Sequence, residues 1–279
     1  MKLIFKILCF TILEIIVLTS CNSKPKAEEY VFKSTKNTTD FNLFMPTGQI
    51  DICGWDKDYI EINAVTRVYS MILSDKKLIK FSHEEIEKDF NLNVLTADSL
   101  INAEIILDIK VPFLLQTINI QTKNAICNIK DTFGNFYITG EKSTINGDFK
   151  NSVIKINFID GTINATLDMT SSTDVLLSNE QGETNINVIK TGDKSLICAN
   201  TFSGNINLVL SSSIPYLLVS SATTPHVLEF LTSSPQIYED NNYKLFINNT
   251  SNNSPELQIF LDNENGKTKI NNAFFIDIN

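Results

Sequence analysis

The chain has 279 residues, of which 43% are hydrophobic and 20% charged, and its formal net charge is −9. That length allows one or two domains and a sizeable core. An acidic chain whose sole arginine is Arg67 lacks the clustered cations that neutralise phosphates, so nucleic acid is excluded as the expected partner. No GxGxxG, P-loop, HExxH or paired CxxC pattern occurs, and no cofactor or metal is expected on that ground.

Residues 1–20 read as a removable export signal. Lys2 and Lys6 form a basic start, and Ile7 to Leu18 is apolar apart from Glu14. The segment is too short to span a membrane. Leu18-Thr19-Ser20-Cys21 resembles a bacterial lipobox, which implies a diacylglyceryl group on Cys21 and cleavage before it. Two or three acyl chains anchor a protein stably where one is marginal. Loss of residues 1–20 removes two lysines and one glutamate, so the mature chain is slightly more acidic still. Residues 22–29 (NSKPKAEE) are polar and contain a proline, so 21–29 is read as lipid anchor and tether.

One β domain is expected over residues 30–279. Phe41 to Met45 is followed by a turn at Pro46-Thr47-Gly48, then a strand from Gln49 to Trp55. A turn at Asp56-Lys57-Asp58 leads to Tyr59–Val65, and Cys53 and Trp55 read as core or turn packing. Between Ser70 and Ser99 the pattern changes. Ser82-His83-Glu84-Glu85 matches a capping box and Ile86 and Phe90 have helical spacing. This predicts one short helix over 82–90, within an insertion near 70–99. An apolar strand then runs from Ile106 to Pro112, and Cys127 lies on another over Ala125–Ile129.

Glycines next open a series of repeats. Gly134, Gly147 and Gly161 follow one another closely, in coils shorter or cut differently from those that come after. Gly161 (GTINATL), Gly182 (GETNINV) and Gly204 (GNINLVL) are spaced more widely and almost evenly. Behind them Ile163, Ala165 and Leu167, then Ile186 and Val188, then Ile206, Leu208 and Leu210 alternate with Asn164, Asn185, Asn187, Asn205 and Asn207. This is strand alternation with one buried face and one wet face. Second strands keep a matching phase. Ile154, Ile156 and Phe158 precede Val175, Leu177 and Asn179 by one period, and Leu196, Cys198 and Asn200 follow after the same interval. Leu218 and Ser220 come one further period after Leu196 and Cys198.

A repeat of two short strands cannot bury its own apolar face and must stack on its neighbour. The pattern therefore predicts an all-β, parallel, β-helix-like solenoid with coils of about 20 residues. An antiparallel sandwich also yields alternating strands and glycine turns, and the fixed phase favours the solenoid. The glycines are expected at corners that need positive φ. Asn179 and Asn200, in equivalent places, could stack as an inward ladder or each cap its own turn.

After Leu210 the repeats loosen, with Pro215, Pro225 and Pro235 each near a short apolar run. Residues 248–255 (NNTSNNSP) read as a polar loop. Leu257 to Leu261, Gly266 and Thr268 to Ile270 restore one last coil, and Phe274 to Ile278 would cover the open end.

The run GQIDICGWDKDYIEINAVTRVY, residues 48–69, resembles the opening of the bacterial "putative adhesin" family of β-solenoid domains, related to the head-domain auto-transporter adhesins. The family opens with a glycine, an I-x-I strand, a "gwd" turn and an I-x-V strand. It continues with an apolar strand ending in Val-Pro, matched by Val111-Pro112, and with t-x-x-G-x-I coils, matched from Gly134 to Leu210. The resemblance covers about residues 40 to 275. It implies a right-handed solenoid and an envelope location, and supplies no catalytic residue.

Candidate chemistry is sparse. Cys9 leaves with the signal, so Cys53, Cys127 and Cys198 remain beside lipidated Cys21. Cys127 and Cys198 read as small core residues, and a disulfide between two of the three stays open. Only His83 and His226 could activate a thiol, both in polar or turn contexts. Asp131, Asp148 and Asp160 lie near glycines, where stacked corners could gather carboxylates for Ca²⁺, although solvated turns explain them more simply. The outward Asn, Thr and Ser suit weak polar binding. The expectation is a non-catalytic, adhesin-like module on a lipid-anchored envelope protein, at the outer membrane or cell surface, with a protein or glycan ligand on the coil face. A periplasm-facing scaffold or stress-associated component is the first alternative, and a β-helix carbohydrate-active enzyme the second.

Overall fold

Ile, Val, Leu and Phe alternating with Asn, Thr and Lys favour extended chain, and every regular element among the described residues is a strand. The computed structural model describes residues 26–35, 37–69, 79–96, 102–113, 115–192, 194–211, 214–222, 227–230, 236–240, 243–248 and 257–273. The first strands are β1 (Lys26–Lys33), β2 (Asp40–Trp55), β3 (Glu61–Tyr69), β4 (Ile79–Ile86), β5 (Asp89–Thr96) and β6 (Asn102–Pro112). Next come β7 (Thr117–Thr132), β8 (Asn135–Gly140), β9 (Thr144–Lys150), β10 (Ile154–Met169), β11 (Asp174–Thr191), β12 (Ser195–Thr201) and β13 (Ser203–Ser211). The last are β14 (Tyr216–Ala222), β15 (Val227–Phe230), β16 (Gln236–Asp240), β17 (Tyr243–Asn248), β18 (Leu257–Asn263) and β19 (Lys267–Ala273).

Each coil contributes two strand segments that meet at a corner, and successive coils pair in parallel. In the first row, Ile118 pairs with Phe136, Phe136 with Ile154, Ile154 with Val175 and Val175 with Ile197. In the second row, Cys127 pairs with Ile145, Ile145 with Ile163, Ile163 with Thr184 and Thr184 with Ile206. The step from Asn146 to Asn164 is 18 residues, from Asn164 to Asn185 it is 21, and from Asn185 to Asn207 it is 22. Inward side chains of both rows, such as Ile156, Leu177 and Ile197 against Ile163, Ile186 and Leu208, belong to one core. Parallel register replaces the antiparallel sandwich, because each coil returns to the side on which it began.

The corner between the rows demands small residues. Gly48 pairs with Ala125, Gly161 with Gly182 and Gly182 with Gly204. A Cβ on Gly161 would strike the Ser143 carbonyl oxygen, one on Gly182 that of Gly161, one on Gly204 that of Gly182, and one on Gly266 that of Gly204. Among these, Gly48 and Gly182 also have positive φ, at 127° and 114°. Gly161 and Gly204 do not, so the expectation of positive φ at every corner is corrected: close approach of the next coil is the general requirement. Gly147 has another role, facing inward beside the Phe149 ring that fills its space. Gly134, with φ 116°, sits just before β8, against the Leu115 carbonyl.

Three further expectations are corrected. Residues 82–90 form a hairpin, with β4 antiparallel to β5 in the register Ile79↔Thr96 to Ile86↔Asp89. A tight turn at Glu87-Lys88 replaces the helix, with Glu87 at φ 56°. Phe90, Leu92 and Val94 alternate, are buried, and β5 extends the first row by pairing with β2, so tertiary pairing overrides a local capping signal. The phase of β12 is shifted by one. Ile197 and Ala199 are buried and pair with Val175 and Leu177, whereas Leu196, Cys198 and Asn200 point outward. The coil step here has grown from 21 to 22 residues, and a one-residue change turns the face over. Leu218 thus aligns with Ile197 through Ile259.

The third correction concerns the end. The coil of β18 and β19 does not follow β14 and β15 in space. It lies between β12/β13 and β14/β15, pairing with both in parallel. β17 and β16 then add to β14 in antiparallel fashion. At the opposite end, Tyr30 and Phe32 of β1 pack on Phe81 of β4, with ring centroids 4.8 and 5.5 Å apart. Residues 274–278, expected to cover the open end, lie outside the described residues.

Gly182→Ala places a side chain at positive φ against the neighbouring backbone. A loss of about 2 kcal/mol or more is expected in chemical denaturation. Asn157→Ala on the outward face of the neighbouring coil should change stability by about 0.5 kcal/mol or less.

Candidate functional site

The two rows present different outward faces. On the second row, asparagines at one register position bond across coils. Asn128 Nδ2 donates to Asp51 Oδ1 (2.7 Å), Asn146 to Asn128 (2.9 Å), Asn164 to Asn146 (2.8 Å), Asn185 to Asn164 (2.7 Å) and Asn207 to Asn185 (2.7 Å). A shorter ladder on the first row joins Asn119 to Asn42 and Asn42 to Asn91. Parallel in-register strands repeat a side chain every ~4.8 Å, which suits amide-to-amide bonding.

Of the two alternatives for Asn179 and Asn200, the inward ladder is not formed, and Asn179 caps its own corner. Asn179 is fully buried and its Nδ2 donates to the Gly161 carbonyl (3.0 Å) and, across its own corner, to the Glu183 carbonyl (3.3 Å). Asn263 fills a like corner two coils on, donating to the Gly204 carbonyl (3.2 Å) and accepting from the Gly266 N–H (2.7 Å). Asn200 is exposed, because of the shifted phase of β12.

The first row carries a shallow groove of about 670 Å³ on its outer face. Its floor follows one register position through five pairings: Tyr137, Lys155, Leu176, Cys198, Phe260 and Val219. Leu176 is 37% exposed and Phe260 42%. Lys155 Nζ stands 5.4 Å from the Tyr137 ring centroid. A parallel register two residues on places Asn157, Ser178, Asn200, Asp262 and Ser221 along one wall. Sequence reading points to polar outward positions but misses this groove. Its floor depends on the β12 phase and on Phe260 arriving beside Cys198 from far along the chain.

All three described cysteines are free thiols. Cys127 is buried, and burial pushes its thiol far up, with the Asp51 charge adding to this. Cys198 lines the groove instead of the core, with its thiol raised by partial burial and then by Asp174. Cys53 is exposed. Trp55 donates from Nε1 to the Tyr59 carbonyl (2.9 Å) and lies under Lys57 (4.6 Å) and Lys110 (5.5 Å), so it packs at a turn. Asp131 pairs with Lys150 (2.9 Å) and Asp160 with Lys142 (3.9 Å). Among the described residues, no three His, Cys, Asp or Glu side chains converge. Cys21 and His226 lie outside the described residues.

No protein-family model matches the chain, and comparison with curated proteins finds no relative. Among solved structures it is similar to a "putative cell adhesion protein" from Clostridium sporogenes, at 13% identity and a TM-score of 0.38, covering 90% of this chain and 100% of that one. A "putative adhesin" from Bacteroides fragilis is 10% identical with a TM-score of 0.30, covering 88% and 97%. A "putative lipid binding protein" from Parabacteroides distasonis is 9% identical with a TM-score of 0.26, covering 89% and 97%. Likeness at this level says nothing of what the present chain binds.

Two measurements test this surface. Asn164→Ala and Asn185→Ala should each cost about 1 kcal/mol. The double variant should fall short of their sum by about 0.5 kcal/mol or more, and strict additivity would argue against a coupled ladder. In labelling with Ellman's reagent followed by peptide mapping, Cys53 should react first. Cys198 should react slowly and faster as pH rises toward its raised pKa, since the thiolate is the nucleophile. Cys127 should react only after unfolding.

Proposed function

We propose that this chain is a lipid-anchored envelope protein whose residues from β1 onward form one right-handed β-solenoid domain, acting as a non-catalytic, adhesin-like binding module. Cys21 carries the anchor and residues 22–25 the tether, shorter than the 22–29 expected from sequence, because Lys26–Glu29 belong to β1 and pair with β3. The observation that carries the reading is the groove on the first row. It offers aromatic carbon, amides and hydroxyls across several coils, with Asp262 as the one carboxylate among the described residues that line it. Glycoside hydrolysis commonly requires two carboxylates flanking the bond to be broken. A surface of this composition suits reversible binding.

The experiment is protease shaving of intact cells, with a periplasmic protein as control. Cleavage of this chain with the control intact is the expected result. Full protection would favour a scaffold facing the periplasm. Alongside it, Cys21→Ser should abolish incorporation of labelled palmitate and release the protein from the membrane fraction. Label retained on that variant would remove Cys21 as the anchor.

A further inference from the structure

The two outward faces use their polar groups differently. On the second row the amides bond one another along the ladder, from Asp51 to Asn207. On the first row, Asn157, Ser178 and Asn200 show no side-chain hydrogen bond among the described residues, and none of them carries a further contact. Their donors and acceptors are therefore free for a ligand. They run beside a strip of exposed carbon with an aromatic ring toward each end. Tyr137 and Phe260 occupy the same register position four strand steps apart. At about 4.8 Å per step the separation is about 19 Å. Among the described residues that line it, the groove holds one cation, Lys155, and one carboxylate, Asp262, whose charges cancel, on a chain of net charge −9.

We propose that this groove binds a neutral, unbranched oligosaccharide lying along the stack axis, with pyranose rings on Tyr137 and Phe260 and hydroxyls on Asn157, Ser178 and Asn200. The chemistry fits each part. The C–H face of a sugar ring packs on aromatic carbon, while its edge hydroxyls need donors and acceptors left unmatched by the protein. A charged polymer has less to gain, because Lys155 and Asp262 offset each other and the surrounding chain repels anions. A purely apolar chain would strand the wall of amides and hydroxyls without partners, at a desolvation cost. Phe260 and Asp262 belong to the coil inserted between β12/β13 and β14/β15, so the site exists only when that coil is in place.

The proposal rests on the binding-module reading, and shaving of cells reports on location whichever way the binding assay falls. The assay is titration calorimetry of the full chain with hexamers of β-1,4-linked glucose and of β-1,4-linked N-acetylglucosamine. Vesicles of phosphatidylethanolamine and phosphatidylglycerol form a separate arm. Binding of one hexamer is expected, weakened about tenfold by Tyr137→Ala or Phe260→Ala, a change that corresponds to about 1.4 kcal/mol. Phe260→Trp should retain binding, which separates loss of the ring from loss of the fold. Asn164→Ala on the opposite face should leave affinity unchanged. The proposal is overturned if neither hexamer binds, or if Tyr137→Ala and Phe260→Ala bind as the parent does. It is also overturned if vesicles bind in a Phe260-dependent way while the hexamers do not, which would assign the groove to an amphiphile.

Discussion

Everything in this fold depends on how closely one coil can lie on the next where its two strands meet. At that corner Gly48, Ala125, Gly161, Gly182, Gly204 and Gly266 stack against backbone, and at the glycines any larger group would meet a carbonyl of the neighbouring coil. Only with the corner that tight can both rows keep the strand spacing that parallel hydrogen bonds require. Asn179 and Asn263 add to it from inside by bonding the corner carbonyls of Gly161 and Gly204. The core then follows as a consequence. Ile154, Val175 and Ile197 stack in one row, Ile163, Ile186 and Leu208 face them from the other, and all are buried.

The same register that stacks the core also stacks the surface, so one substitution pattern has two outcomes. Where asparagine recurs, as at Asn128, Asn146, Asn164, Asn185 and Asn207, neighbouring amides bond one another along the stack. Where the recurring position mixes Tyr137, Leu176, Cys198 and Phe260, no such self-pairing is open to the side chains. The face keeps exposed carbon and unmatched polar groups. That contrast in side-chain pairing, set by which residues recur at one register position, is the main difference between the two outward faces over these coils.

Much of the architecture is legible in the chain. The buried residues of β10, β11 and β13 are readable from alternation alone, as is a coil at 257–270, because strand alternation is a local property. Legibility fails where a local signal competes with a distant partner. Ser82-His83-Glu84-Glu85 looks like a helix start, yet Phe90, Leu92 and Val94 can be buried only by pairing β5 with β2. Cys198 looks inward when the period of the preceding coil is carried over a step that is one residue longer. Positive φ accounts for Gly48 and Gly182, whereas at Gly161 and Gly204 the neighbour across the corner is what excludes a side chain.

By itself the sequence determined that the chain is all-β, that its strands have a buried and a wet face, and that its coils repeat at about 20 residues. These follow from alternation and glycine spacing, which require no knowledge of partners. Only the tertiary structure decided which coil lies beside which. It placed β18 and β19 between coils that precede them in the chain, and so brought Phe260 next to Cys198 and Val219. The physical reason is that parallel pairing rewards any strand of matching length and phase, whatever its distance along the chain. The order of coils, and the groove built on that order, is therefore set by which strands match in length and phase across the chain, and alternation alone does not rank those matches.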